Sequence, residues 1–120
     1  MRVLVCGGRD FCDWKVLSSV LKQEVGSFRA KDLDITVIQG GAKGADFLAK
    51  AYALYVGWSV EEYPADWSKY KGGAGHIRNK QMLDEGKPDF VIAFKGGAGT
   101  ANMVKQAKAQ GVEVKEFYDD

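Results

Sequence analysis

Apolar residues along this chain come in short continuous runs, and three of the runs give way to glycine. Arg2-Val3-Leu4-Val5-Cys6 meets Gly7-Gly8; Ile35-Thr36-Val37-Ile38 meets Gln39 and then Gly40-Gly41; Phe90-Val91-Ile92-Ala93-Phe94 meets Lys95 and then Gly96-Gly97. Runs this short and continuous read as strands buried on both faces. Between them the spacing becomes helical. Asp13 can cap a helix over 14–28 that sets Trp14, Leu17, Leu21 and Val25 near one face. A second helix is predicted over 44–56 and stopped by Gly57, a third over 76–85 closed by Gly86, and a fourth over 100–110 with Gly111 as its stop. Residues 58–63 alternate and read as a more exposed edge strand, and 112–117 as a last strand. Residues 29–34 are a charged connection, 64–75 a long aromatic, glycine-rich loop, and 118–120 a frayed tail. Strands alternating with helices predict one α/β domain over 1–120. Its sheet would be doubly wound, mainly parallel and five-stranded, with helices on both faces.

In a parallel sheet the three glycine loops share one edge, and ligands of open α/β sheets bind at that carboxyl edge. The candidate ligand-binding residues are therefore Gly7, Gly8, Arg9 and Asp10 after the first run, Gly40, Gly41, Ala42, Gly44 and Asp46 after the second, and Gly96, Gly97, Gly99 and Thr100 after the last. Glycine lets backbone N–H groups approach a ligand, and a helix start adds unpaired N–H groups and a positive dipole end. Thr100 is read as an N-cap or as a hydroxyl donor to phosphate. Arg9 and Asp10 hold a phosphate and orient it or a ribose hydroxyl, or else form a surface ion pair. Asp46 favours the helix dipole or binds a ribose hydroxyl. Arg78 and Asn79 follow the aromatic loop, and the arginine can reach a phosphate bidentately. Trp67 and Tyr70 stack on a base, pack the loop down or make a subunit contact.

Composition narrows the classes. Hydrophobic residues make up 46% and charged residues 28%, as in soluble globular proteins. With 17 basic and 16 acidic residues the net charge is +1, which argues against strong non-specific nucleic-acid or membrane binding. Cys6 and Cys12 form no CxxC pair and read as free thiols of a reducing cytoplasm. The first apolar run is too short for a signal peptide, and no run reaches membrane-spanning length. A single histidine, His76, and no Cys/His cluster give no metal site and no cofactor. The Gly40–Asp46 stretch lacks the Walker A spacing, and there is no Gly-x-Ser-x-Gly elbow.

Several of these segments, in this order, resemble the YspA-like, YpsA-related branch of the SLOG superfamily, over nearly the whole chain. They are Gly7-Gly8-Arg9-Asp10-Phe11, Gly40-Gly41-Ala42-Lys43-Gly44-Ala45-Asp46, Pro64-Ala65-Asp66-Trp67, the stretch from Ala74 to Leu83, and Pro88-Asp89 through Met103. The resemblance implies a Rossmann-like fold and a nucleotide-derived ligand. Its wider relatives include the Lonely-guy phosphoribohydrolases and the DNA-processing protein A family. Lonely-guy enzymes carry Pro-Gly-Gly-x-Gly-Thr and a catalytic glutamate three positions on. Here Lys95 stands for the proline and Met103 for the glutamate, while Arg78 and Met82 match their Arg-x-x-x-Met segment. The usual proline before Ile-Arg-Asn is His76. The expectation is a sensor or sequestering protein for a nucleotide-derived small molecule. A hydrolase is the alternative, with Asp10, Asp46, Asp66 or His76 as its base. Single-stranded DNA binding comes third, and a homodimer is expected by analogy with relatives.

Overall fold

The computed structural model describes residues 1–25 and 34–118. The expected end of the first helix near Phe28, the connection over 29–33 and residues 119–120 lie outside them. The elements in order are β1 (Arg2–Cys6), α1 (Trp14–Val25), β2 (Thr36–Gln39), α2 (Ala45–Val56), β3 (Ser59–Glu62), α3 (Trp67–Tyr70), a 3-10 turn (Lys71–Gly73), α4 (Ala74–Gly86), β4 (Phe90–Phe94), α5 (Ala98–Ala109) and β5 (Glu113–Phe117).

The sheet order is β3-β2-β1-β4-β5, and every pairing is parallel, so the expected mainly parallel sheet is wholly so. The chain winds outward from β1 to β3, then returns past β1 to β4. The order therefore reverses between β1 and β4, and a Rossmann-like sheet opens its cleft at such a reversal.

Alternation along β1 divides the core. Val3 and Val5 face one cluster with Leu17 and Leu21 of α1 and Ala45, Ala49 and Ala53 of α2. Leu4 and Cys6 face the other, with Met82 and Leu83 of α4 and Met103, Val104 and Ala107 of α5. All five residues of β4 are buried, as its unbroken apolar run requires, and the alternating β3 is an edge strand. In α1 the Asp13 carboxylate accepts from the Val16 amide at 3.1 Å, which is the expected cap. Val20 joins Leu17, Leu21 and Val25 in the core, whereas Trp14 at the helix start is half exposed, with its ring against Tyr52. Trp58 is buried but precedes β3 rather than starting it.

Three local expectations are corrected. Residues 64–75 are not an open loop. Asp66 caps α3 by accepting from Lys69 N at 3.0 Å, the 3-10 turn follows, and α4 begins at Ala74, two residues before His76. Gly86 does not close α4 from outside: it is the last helical residue, against Ile38, and Lys87 takes the left-handed turn at φ 47°. Thr100 is no N-cap; it is the third residue of α5, within the first turn, and Gly97 holds the cap position without a capping side chain.

Candidate functional site

Close contact between backbones builds the site. The β1–α1 loop is held between the other two glycine loops: Gly8 N donates to Lys95 O at 2.9 Å, and Ala45 N donates to Gly8 O at 3.2 Å. Two glycines permit this. Gly44, at φ 78°, lies so close to Gly8 that a Cβ would land on the Gly8 carbonyl. A Cβ on Gly96 would meet the Thr100 hydroxyl and come within 2.6 Å of Gly8 N.

Beside the packed loops, at the β1/β4 reversal, is an open cavity of about 720 Å³. Of the candidates, Gly7, Gly8, Arg9, Asp10, Ala42, Asp46, Arg78, Asn79, Gly96, Gly97, Gly99 and Thr100 line it. Gly40, Gly41 and Gly44 do not. Gly40 N and Ala42 N donate to Asp46 Oδ2 at 3.2 and 3.3 Å, and Gly41 N donates to Gln39 Oε1 at 2.6 Å. These amides are engaged inside the protein, so the 40–42 loop is not an anion cradle; it holds a carboxylate.

The opposite holds at α5. Among the described residues the amides of Ala98, Gly99 and Thr100 have no internal acceptor, and the helix start faces the cavity. The Thr100 hydroxyl is likewise without a partner although the residue is only 7% exposed. Exposed Lys95 and Arg9 flank this end. Free amides, a helix dipole and cations suit an anion.

Arg78 is fixed between α4 and the 40–42 loop. Its Nη1 donates to Gly40 O at 2.7 Å and its Nε to Asn79 Oδ1 at 3.1 Å. Asn79, buried, donates from Nδ2 to Gly99 O and to Asn102 Oδ1, both at 3.1 Å. Nη2 of Arg78 has no partner among the described residues. Burial lowers the pKa of the guanidinium; the Asp46 charge opposes this and Arg9 adds to it. Arginine stays protonated even so. Burial pushes the Asp46 carboxyl up to about 6, against the Ala42 amide, Arg78 and the Gly40 amide, which stabilise the anion.

The remaining candidates separate cleanly. Asp10 and Asp46 reach the cavity, whereas Asp66 caps α3 and exposed His76 offers only its carbonyl, to Gln106. Met103 is fully buried in the α4/α5 core and is not in the cavity wall. Trp67 lines the cavity, half exposed, and Tyr70 does not. Phe11, whose ring is tilted against Phe94 with centroids 4.9 Å apart, lines it as well. Lys95 and Phe11 were not among the candidate site residues; their signal was position, at the carboxyl ends of the two strands that flank the reversal. Cys6 and Cys12 border the cavity too, and burial raises the Cys6 pKa, so it is a thiol and not a thiolate. Among the described residues no group of three His, Cys, Asp or Glu could hold a metal, and no helix is long and apolar enough to cross a membrane.

Fold and cleft define an α/β protein with a Rossmann-like parallel sheet and a cavity at its carboxyl edge. The chain belongs to the YspA, cpYpsA-related SLOG family, whose profile matches residues 1–70. It is similar to the Gene 61 protein of Mycobacterium phage D29, with 32% identity over 125 residues, covering 98% of this chain and 97% of that one. The profile match ends before Arg78 and the 95–100 loop; the similarity to the phage protein spans both.

Proposed function

We propose that this protein binds a nucleotide or nucleotide-derived small molecule in the cavity between β1 and β4, as a sensor or sequestering protein. The observation that carries the reading is the open start of α5. Three unpartnered amides and the Thr100 hydroxyl face the cavity, with Lys95, Arg9 and the free Nη2 of Arg78 to neutralise a phosphate. Phe11 and Trp67 supply aromatic surface for a base. Membership of the SLOG family supports a nucleotide-related role. Calorimetry with adenosine 5′-monophosphate and adenosine tests it. The monophosphate should bind and adenosine should bind at least about tenfold more weakly, a difference of about 1.4 kcal/mol. No binding of the monophosphate or of other nucleotides would refute it.

A second reading, hydrolysis of a nucleotide bond, draws on one observation: Asp46 lies in the cavity with a carboxyl poised near 6, where proton transfer at neutral pH is feasible. Steady release of free base or inorganic phosphate from a nucleotide would favour it. Met103, sealed in the core, offers no acid or base.

A further inference from the structure

The cavity has a second pole. Asp46 is only 6% exposed and uses one oxygen, Oδ2, for the Gly40 and Ala42 amides. Its Oδ1 takes no hydrogen bond among the described residues. No fully enclosed polar side-chain atom among them lacks a partner, so Oδ1 is reached from the cavity that Asp46 lines.

A line of hydrogen bonds ties this pole to the α5 end. It runs from Gly99 O to Asn79, from Asn79 to Arg78, from Arg78 to Gly40 O, and from Gly40 N to Asp46. The two poles differ in chemistry. The α5 start presents three amide donors and the Thr100 hydroxyl, which can donate as well, whereas a carboxylate oxygen accepts only. A phosphate is repelled from Asp46 and drawn to α5. A group that reaches Asp46 must bring a donor.

We propose that Asp46 receives the ribose hydroxyls of a ligand whose 5′-phosphate sits at the start of α5, so that the site selects ribonucleotides over their deoxy counterparts. This rests on the reading of the cavity as a nucleotide site. In a nucleotide the sugar stands between phosphate and base. Its hydroxyls are therefore the donors nearest the phosphate, as Asp46 is the acceptor tied through Arg78 to the phosphate pole. The aromatic surface of Phe11 and Trp67 is left for the base. A hydrogen bond to an ionised acceptor in a buried site discriminates strongly, because its loss leaves the carboxylate unpaired.

Calorimetry with three probes decides: adenosine 5′-monophosphate, its 2′,3′-dideoxy counterpart and ribose 5-phosphate. At neutral pH the intact protein should prefer the ribonucleotide to the dideoxy form by roughly tenfold or more. In Asp46→Asn, whose amide oxygen can still accept from Gly40 and Ala42, the ratio should fall toward one while ribose 5-phosphate still binds. In the intact protein the preference should also shrink as the solution is made acidic enough to protonate Asp46, so a poorly folding variant does not shield the idea. Equal affinity of the intact protein for the ribo and dideoxy forms would overturn the proposal and leave the nucleotide site standing, with Asp46 holding the loop only. If neither the ribonucleotide nor ribose 5-phosphate binds, the nucleotide reading itself falls, and the ribose contact with it.

Discussion

Arg78 donates from Nη1 to the carbonyl oxygen of Gly40 at 2.7 Å, across 38 residues of chain. The bond passes through the space where any other residue at position 40 would carry its Cβ. In Gly40→Ala that Cβ would fall on Arg78 Nη1 and lie 2.8 Å from Cζ. The nearest obstructing atoms are the end of a flexible side chain and the next is Asp46 Oδ2 at 3.0 Å, so the guanidinium moves, the carboxylate gives slightly and the fold survives. Stability should change by no more than about 1 kcal/mol. Affinity for adenosine 5′-monophosphate should fall roughly tenfold or more. A calorimetric titration beside a thermal melt checks both; unchanged affinity would separate Arg78 from the ligand.

Gly97→Val tests the opposite situation. A Cβ at Gly97 meets nothing within 4 Å, and the residue is not in the left-handed region, with φ −99°. The valine would project into open space at the start of α5, which lines the cavity. Circular dichroism should show a folded protein, and calorimetry should show nucleotide binding lost. Full binding by this variant would move the phosphate away from α5.

These two glycines show where the sequence was readable. The strands before both loops were legible because β2 and β4 bury side chains on both faces of the sheet and need no polar alternation. Strands that alternate with helices implied a mainly parallel sheet, and every pairing is parallel. The use of each glycine was not legible. Gly40 and Gly97 look alike in the chain, yet one clears a path for a side chain that arrives from α4 and the other borders the cavity. The 40–42 amides read as anion donors because nothing local shows that Asp46, one helical turn on, folds back to take them. Residues 64–75 read as a loop because Gly72, Gly73 and Gly75 look like breakers. The Asp66 cap and the burial of Ala74 outweigh them.

Stability should depend on pH through Asp46. Its carboxyl titrates at about 6 when folded against an ordinary 3.8, so the folded state holds the proton more tightly. The stabilising contribution is present in full below 3.8 and is lost as pH rises through about 6. Above that range the ligand-free protein carries a cost on the order of 3 kcal/mol, at about 1.36 kcal/mol per pKa unit. Asp46→Asn should therefore be more stable than the parent in urea at mildly alkaline pH, with the gap closing as the pH is lowered toward 3.8. A gap independent of pH would show that Asp46 titrates normally.

Met103→Glu should not create a hydrolase. The side chain lies in the core among Leu4, Cys6, Ile38 and Val91, away from the cavity wall. A glutamate there is a buried carboxyl without a partner, with a cost on the order of 4 kcal/mol. Denaturant melts should show the loss, and chromatography of an incubation with adenosine 5′-monophosphate should show no adenine. A stable variant that releases adenine would mean that position 103 reaches the ligand.

The most direct measurement is a nitrogen-15 NMR titration with adenosine 5′-monophosphate. The amides of Ala98, Gly99 and Thr100 and the Nε–H of Arg78 should shift together and saturate, with little change on the exposed face of α2 around Leu54 and Tyr55. Saturable shifts that spare 98–100 and Arg78, or no shifts at all, would contradict a phosphate held at the start of α5.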